Sequence, residues 1–173
     1  MRQLLIGAGN SRTKKIVHPL TPDKEFTDGK KYHDQLRTLD ISGNPDYLHN
    51  LDEIPYPFAT EEFDEIHAYE VLEHCGTQGD ENFFFAQFNE FHRILKPGGV
   101  FCGSVPRHTS VWAFGDPGHK RVLPPTVFNY LAESFYDQVG KTACADYRHL
   151  IKGFWNLVGV DEGETVFFLL QKA

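Results

Sequence analysis

The chain has 173 residues, 24 acidic against 17 basic side chains for a net charge of −7, and 40% apolar residues. That length suits one domain with a real core, so a single domain over 1–173 is expected. The negative field disfavours nucleic acid as a partner, and no apolar run reaches the roughly 18 residues of a membrane span.

Gln3 to Ile6 is a short apolar run that ends in Gly7-Ala8-Gly9, as a buried parallel strand meeting a tight turn would. Residues 10 to 34 are polar, hold Pro19, Pro22 and Gly29, and show no sustained helical period, so no long helix is expected there. Gln35 to Ile41 reads as a second strand and Asp46 to Leu51 as a short third strand at the sheet edge. Pro55 and Pro57 make Ile54 to Phe58 a loop. Phe63 to Tyr69 is the fourth strand. The clearest helix spans Asp80 to Lys96: Phe84, Phe88, Phe91 and Leu95 form one stripe, with Asp80 as N-cap and Pro97-Gly98-Gly99 as the stop.

Val100 to Val105 is the fifth strand, and Pro125 to Tyr136 is expected to be a second helix with Phe128, Leu131 and Phe135 on one face. Phe154 to Val160 and Thr165 to Gln171 flank Asp161-Glu162-Gly163-Glu164 as a closing antiparallel hairpin. The pattern is that of an α/β fold: a Rossmann-like, mostly parallel sheet with helices on both faces and a C-terminal antiparallel hairpin. Cys75, Cys102 and Cys144 form no disulfide framework and no all-cysteine zinc set, so a reducing, cytoplasmic setting is the expectation.

Glycines after the first strand let the backbone turn sharply and let a ligand approach closely, which makes Gly7, Ala8 and Gly9 candidates for cofactor binding. The third glycine of a GxGxxG fingerprint is replaced by Arg12, so a pyrophosphate ligand is not indicated. Asp40 ends the second strand, where a carboxylate can accept hydrogen bonds from both hydroxyls of a ribose.

Two further runs carry a resemblance. Phe63-Asp64-Glu65-Ile66-His67-Ala68-Tyr69-Glu70-Val71-Leu72-Glu73-His74 and Leu95-Lys96-Pro97-Gly98-Gly99 resemble the "FDxIxxxxVLEH" and "LKPGG" of class I S-adenosylmethionine-dependent methyltransferases. The resemblance covers most of residues 2 to 135 and implies S-adenosylmethionine as cofactor. It places Asn50 and Leu51 at the adenine, with Asp52 as a substitute for the acid that the family carries at Asn50. It places Tyr69 and Glu70 on the methionine or adenosine side of the pocket, with Glu73 and His74 behind them or facing the substrate.

Gly115-Asp116-Pro117-Gly118-His119-Lys120-Arg121 looks like the "DPxHxR" loop of methyltransferases that act on small molecules and glycans. His119 is the first candidate for a general base and His108, at the same rim, the second. The implied function is O- or N-methylation of a small-molecule or glycan-type acceptor. A catalytically altered or non-enzymatic S-adenosylmethionine binder is the alternative. The histidines show no HxH or HExxH spacing, so no metal is expected. Oligomeric state is not legible.

Overall fold

The computed structural model describes residues 2–10, 36–162 and 165–173. The expectation for residues 10 to 34 lies outside the described residues apart from Asn10. Seven strands form one sheet: β1 (Gln3–Ile6), β2 (Leu36–Asp40), β3 (Tyr47–Leu48), β4 (Phe63–Tyr69), β5 (Leu95–Pro106), β6 (Trp155–Glu162) and β7 (Thr165–Lys172). Their order is β3-β2-β1-β4-β5-β7-β6. β1 to β5 pair in parallel, and β7 runs antiparallel between β5 and β6. The chain leaves β1 to one side for β2 and reaches β4 on the other, so the order reverses beside β1. Ligands of open α/β sheets bind at the carboxyl ends of the strands beside such a reversal.

Helix α1 (Glu81–Ile94) begins where expected, with the Asp80 carboxylate accepting the Phe83 N–H at 2.9 Å. Its phenylalanine stripe lies on the sheet face that carries Ile66, Phe101 and Phe168. Phe88 and Phe91 are fully buried there, and each such side chain contributes about 1.5–3 kcal/mol by leaving water. Truncating Phe88 to alanine would cost about 3–5 kcal/mol, because the cavity adds to the lost transfer energy. The opposite face buries Leu5, Leu36, Tyr69, Val100, Cys102 and Leu169. It also holds a polar chain: Gln3 Nε2 donates to Glu65 Oε2 at 2.8 Å, and the same oxygen lies 2.9 Å from His67 Nε2. With Nε2–H donating to the carboxylate, His67 Nδ1 accepts the Tyr69 hydroxyl at 2.8 Å.

Two elements differ from expectation. β5 starts at Leu95, directly at the helix end, and its pairing with β4 shifts register between Phe63 and Glu65. The Pro-Gly-Gly run permits this: Gly98 has φ +73°, and a Cβ on Gly99 would stand 2.8 Å from the Lys96 carbonyl oxygen. Pro125 to Tyr136 is not one α-helix but two 3-10 segments, Pro125–Leu131 and Glu133–Gln138, separated by an extended Ala132. Phe128 and Leu131 are spaced by three, which a 3-10 turn satisfies as well as an α-turn, and Phe128 stacks on Phe168. A five-residue helix, α2 (Val111–Gly115), follows β5. Among the described residues no helix is long and apolar enough to cross a membrane.

Candidate active site

β1 ends in the glycine turn. Gly7 and Gly9 take φ +67° and +54°, in the region that favours glycine. Gly7 is also a close approach, since a Cβ there would lie 2.6 Å from Val71 Cγ2. Gly9 differs: a Cβ built on it meets no described atom within 4 Å. Its N–H donates to Asp40 Oδ2 at 2.7 Å, while Asp40 Oδ1 accepts the Ser42 N–H at 3.0 Å. Asp40 therefore sits at the turn, and its carboxylate joins the ends of β1 and β2. Ala8 is buried with Leu5, Leu36 and Tyr69 behind the turn.

On the other side of β1 the chain leaves β4 through Tyr69 and Glu70. Tyr69 is buried with its hydroxyl on His67. Glu70 adopts φ +53°, uncommon for a residue with a side chain, and its N–H donates to the Ser104 carbonyl at 2.9 Å. Its Oε1 is buried with no hydrogen-bond partner among the described residues. Glu70 lines a cavity of about 410 Å³ together with Pro106, Arg107, Ser110, Trp112 and Thr165. The cavity opens at the carboxyl ends of β4 and β5. Sequence reasoning missed its α2 wall. The available signal was Ser110 capping an apolar run, Val111-Trp112-Ala113-Phe114, in which Trp112 remains 67% exposed.

The residues after β3 mainly brace their own surroundings. Asn50 Oδ1 accepts the Asp52 N–H at 3.0 Å, an Asx-type turn. Leu51 is only 7% exposed and belongs to the core. Asp52 Oδ1 accepts the Gly76 N–H at 2.8 Å and Oδ2 accepts from Lys120 Nζ at 2.6 Å. Burial works to raise its pKa, but these donors prevail and hold it below the usual carboxylate value. Asp52 thus ties three loops together.

The 3-10 turn Leu72–His74 follows Glu70, and the loop of Asp116 to Arg121 lies against it. Lys120 N and Arg121 N donate to the Glu73 carbonyl at 2.8 and 3.2 Å. Arg121 points into the protein: Nε donates to the Leu72 carbonyl at 2.9 Å, the guanidinium bonds Gln87, and it lies over the Phe83 ring. His119 turns towards Glu73 instead, with Nε2 3.9 Å from Glu73 Oε1 and 3.8 Å from Asp116 Oδ2. Its ring meets that of His74 edge-on, with centroids 4.6 Å apart. Burial pushes the Glu73 carboxyl up to about 8, helped by the nearby Glu70 and Asp116 charges and opposed by Arg121. His108 is exposed on the loop between β5 and α2.

The described residues fit S-adenosylmethionine: open space beside Gly9, an aspartate at the end of β2, and an unsatisfied Glu70 oxygen at the end of β4. Among solved structures, the chain is similar to a SAM-dependent methyltransferase from Archaeoglobus fulgidus. The identity is 14% and the TM-score 0.57, over 99% of this chain and 86% of that one. It is also similar to a Haloferax volcanii methyltransferase complexed with the Trm112 activator, at 14% identity and TM-score 0.54, over 99% and 81%. A third similar structure is the 1,6-didemethyltoxoflavin-N1-methyltransferase of Burkholderia thailandensis, determined with S-adenosylhomocysteine. There the identity is 11% and the TM-score 0.55, over 99% and 71%. No curated protein matches the sequence. The sequence profile described as "Methyltransferase domain" matches residues 8–103, from inside the glycine turn to the middle of β5 and more than half of the chain. The chain therefore belongs to the methyltransferase-domain family, the S-adenosylmethionine-dependent methyltransferases of class I fold.

Proposed function

We propose that this methyltransferase acts on a small-molecule or glycan-type acceptor, methylating an oxygen or nitrogen, and that the acceptor binds in the cavity between Glu70 and Trp112. The size and placement of that cavity carry the reading. A volume of about 410 Å³ is in the range of metabolite pockets, and the cavity opens at the carboxyl ends of β4 and β5, beside Glu70. Trp112 offers an apolar ring for a sugar or aromatic face, and Arg107 and Ser110 offer polar groups that fix orientation.

S-adenosylmethionine supplies an electrophilic methyl group on a sulfonium that leaves readily. The work of the protein is then alignment and, for a hydroxyl acceptor, removal of a proton. Gly7, Ala8 and Gly9 give the cofactor its close approach, Asp40 takes the ribose, and Tyr69 and Glu70 form the wall between cofactor and acceptor. Asn50 and Leu51 border the adenine end through their loop. His119 is the proton acceptor in metal-free protein, with His108 at the rim as the second candidate. Incubation with methyl-labelled S-adenosylmethionine and a panel of phenols, amines and sugars tests the reading. Label in a low-molecular-weight product supports it, and label found only in added RNA or protein overturns it.

A further inference from the structure

We propose that Glu73, His74 and His119 form a binding site for one divalent transition-metal cation of the zinc type. One ligand atom from each residue can be chosen so that all lie within 4.8 Å of one another. The cluster joins segments 45 positions apart, and the main-chain bonds from Lys120 and Arg121 to the Glu73 carbonyl fix it in the fold. A chance meeting of surface side chains would have no such support.

The Glu73 carboxylate points to a ligand. The residue is 1% exposed, and neither Oε1 nor Oε2 has a hydrogen-bond partner among the described residues. A buried carboxylate is ordinarily paired or coordinates a metal, because an uncompensated one is costly. The distances agree. Nε2 of His119 lies 3.9 Å from Glu73 Oε1 and 3.8 Å from Asp116 Oδ2, too far for hydrogen bonds. Two ligands bound at about 2.0–2.1 Å to a tetrahedral ion stand about 3.4 Å apart, so small side-chain rotations close the cage.

The tautomer of His74 also suits an ion. Its Nδ1–H donates to the Gly118 carbonyl at 3.1 Å, which leaves Nε2 with a lone pair and is the usual outer support of a metal-bound imidazole. Nδ1 of His119 is buried without a hydrogen-bond partner among the described residues, and Nε2 is the ring nitrogen nearer Glu73 and Asp116. Two imidazoles and one carboxylate favour zinc over magnesium or calcium, and three protein ligands leave a fourth position for Asp116 or a small molecule. An ion there uses the imidazole lone pair that proton uptake needs, so the metal and base roles of His119 exclude each other.

The test uses the full chain, stripped with chelator and titrated with zinc chloride by calorimetry, with a thermal melt at each step. One zinc per chain is expected, with a rise in melting temperature. Glu73→Gln and His119→Ala should each weaken that binding by at least about tenfold. Glu73→Gln replaces the unpartnered buried carboxyl group by an amide of nearly the same shape, so it should fold about as stably as the parent without metal while losing the zinc-dependent rise. His149→Ala, on an exposed turn, serves as the control and should bind as the parent does. Equal zinc affinity in the parent, Glu73→Gln and His119→Ala, or no stoichiometric uptake by the parent, overturns the site. Methyl transfer measured in chelator is a separate readout, so the acceptor reading can stand if the metal site falls.

Discussion

The Asp40 carboxylate accepts the Gly9 backbone N–H at 2.7 Å, across 31 positions of sequence. The bond ties the end of β2 to the turn after β1 and orients a half-buried carboxylate beside Gly9, where a Cβ would meet no described atom within 4 Å. Asp40→Ala removes the brace and, on the proposed reading, the ribose acceptor with it. We expect affinity for S-adenosylhomocysteine to fall roughly tenfold to 100-fold, the equivalent of one or two charge-assisted hydrogen bonds. Calorimetric titration measures it. Unchanged affinity would remove Asp40 from the cofactor site.

Gly7 combines a positive φ with a close approach to Val71. An alanine there meets both penalties, about 2–4 kcal/mol together. Urea unfolding of Gly7→Ala should show a lower midpoint at an unchanged slope. A substitution costing under about 0.5 kcal/mol would mean that the turn relaxes freely.

Trp112 is exposed, so Trp112→Ala should leave the melting temperature nearly unchanged. If its ring holds the acceptor, KM should rise while kcat stays near the parent value, the pattern of lost uniform binding. Steady-state kinetics with the acceptor identified by the labelling panel decides it.

Acid stability is governed in part by Glu90. Burial works to raise its pKa, yet Arg93 Nη2 at 2.7 Å and the Tyr56 N–H at 2.9 Å outweigh burial and hold it below the usual value. A folded-state pKa below the unfolded one stabilises the protein above the unfolded value of about 4.3, and that stability is lost as pH falls through the lowered value. Glu90→Gln should therefore lower stability at pH 7 by about 1–3 kcal/mol. The difference from the parent should shrink towards pH 3. Chemical denaturation at the two pH values checks the sign, and a deficit that grows on acidification would contradict the assignment.

The thiols should differ sharply in reactivity. Cys75 and Cys102 are buried, and burial pushes the Cys75 thiol up to about 11, so little thiolate forms at neutral pH. Cys144 is partly exposed. Brief maleimide treatment of native protein should add one label, at Cys144, and denaturant should raise the number to three. Mass spectrometry counts the adducts.

Much of the scaffold was legible because local periodicity carries it. The bounds of β4 coincide with the expected ones, and the Phe84–Phe88–Phe91 stripe and Asp80 cap mark α1 to within two residues of its ends. Pro125 to Tyr136 failed because apolar spacings of three and four do not distinguish an α-helix from consecutive 3-10 turns. The structure has the latter, with the extended Ala132 dividing the two segments.

The sequence by itself determined the order of the strands along the chain, the long helix before β5, the glycine turn, and an aspartate at the end of β2, since each is written in contiguous residues. It also carried the family, through runs that frame β4 and β5. Only the tertiary structure decided what side chains do once distant segments meet. It turned Arg121 inward onto Leu72 and Gln87, set Leu51 in the core, and made Asp52 a clamp for Gly76 and Lys120. It also brought His119 beside Glu73 across a gap that no spacing rule spans. The physical reason is that backbone preference and hydrophobic period act over a few residues, whereas the partner of a buried charge is fixed by which loops the sheet brings together.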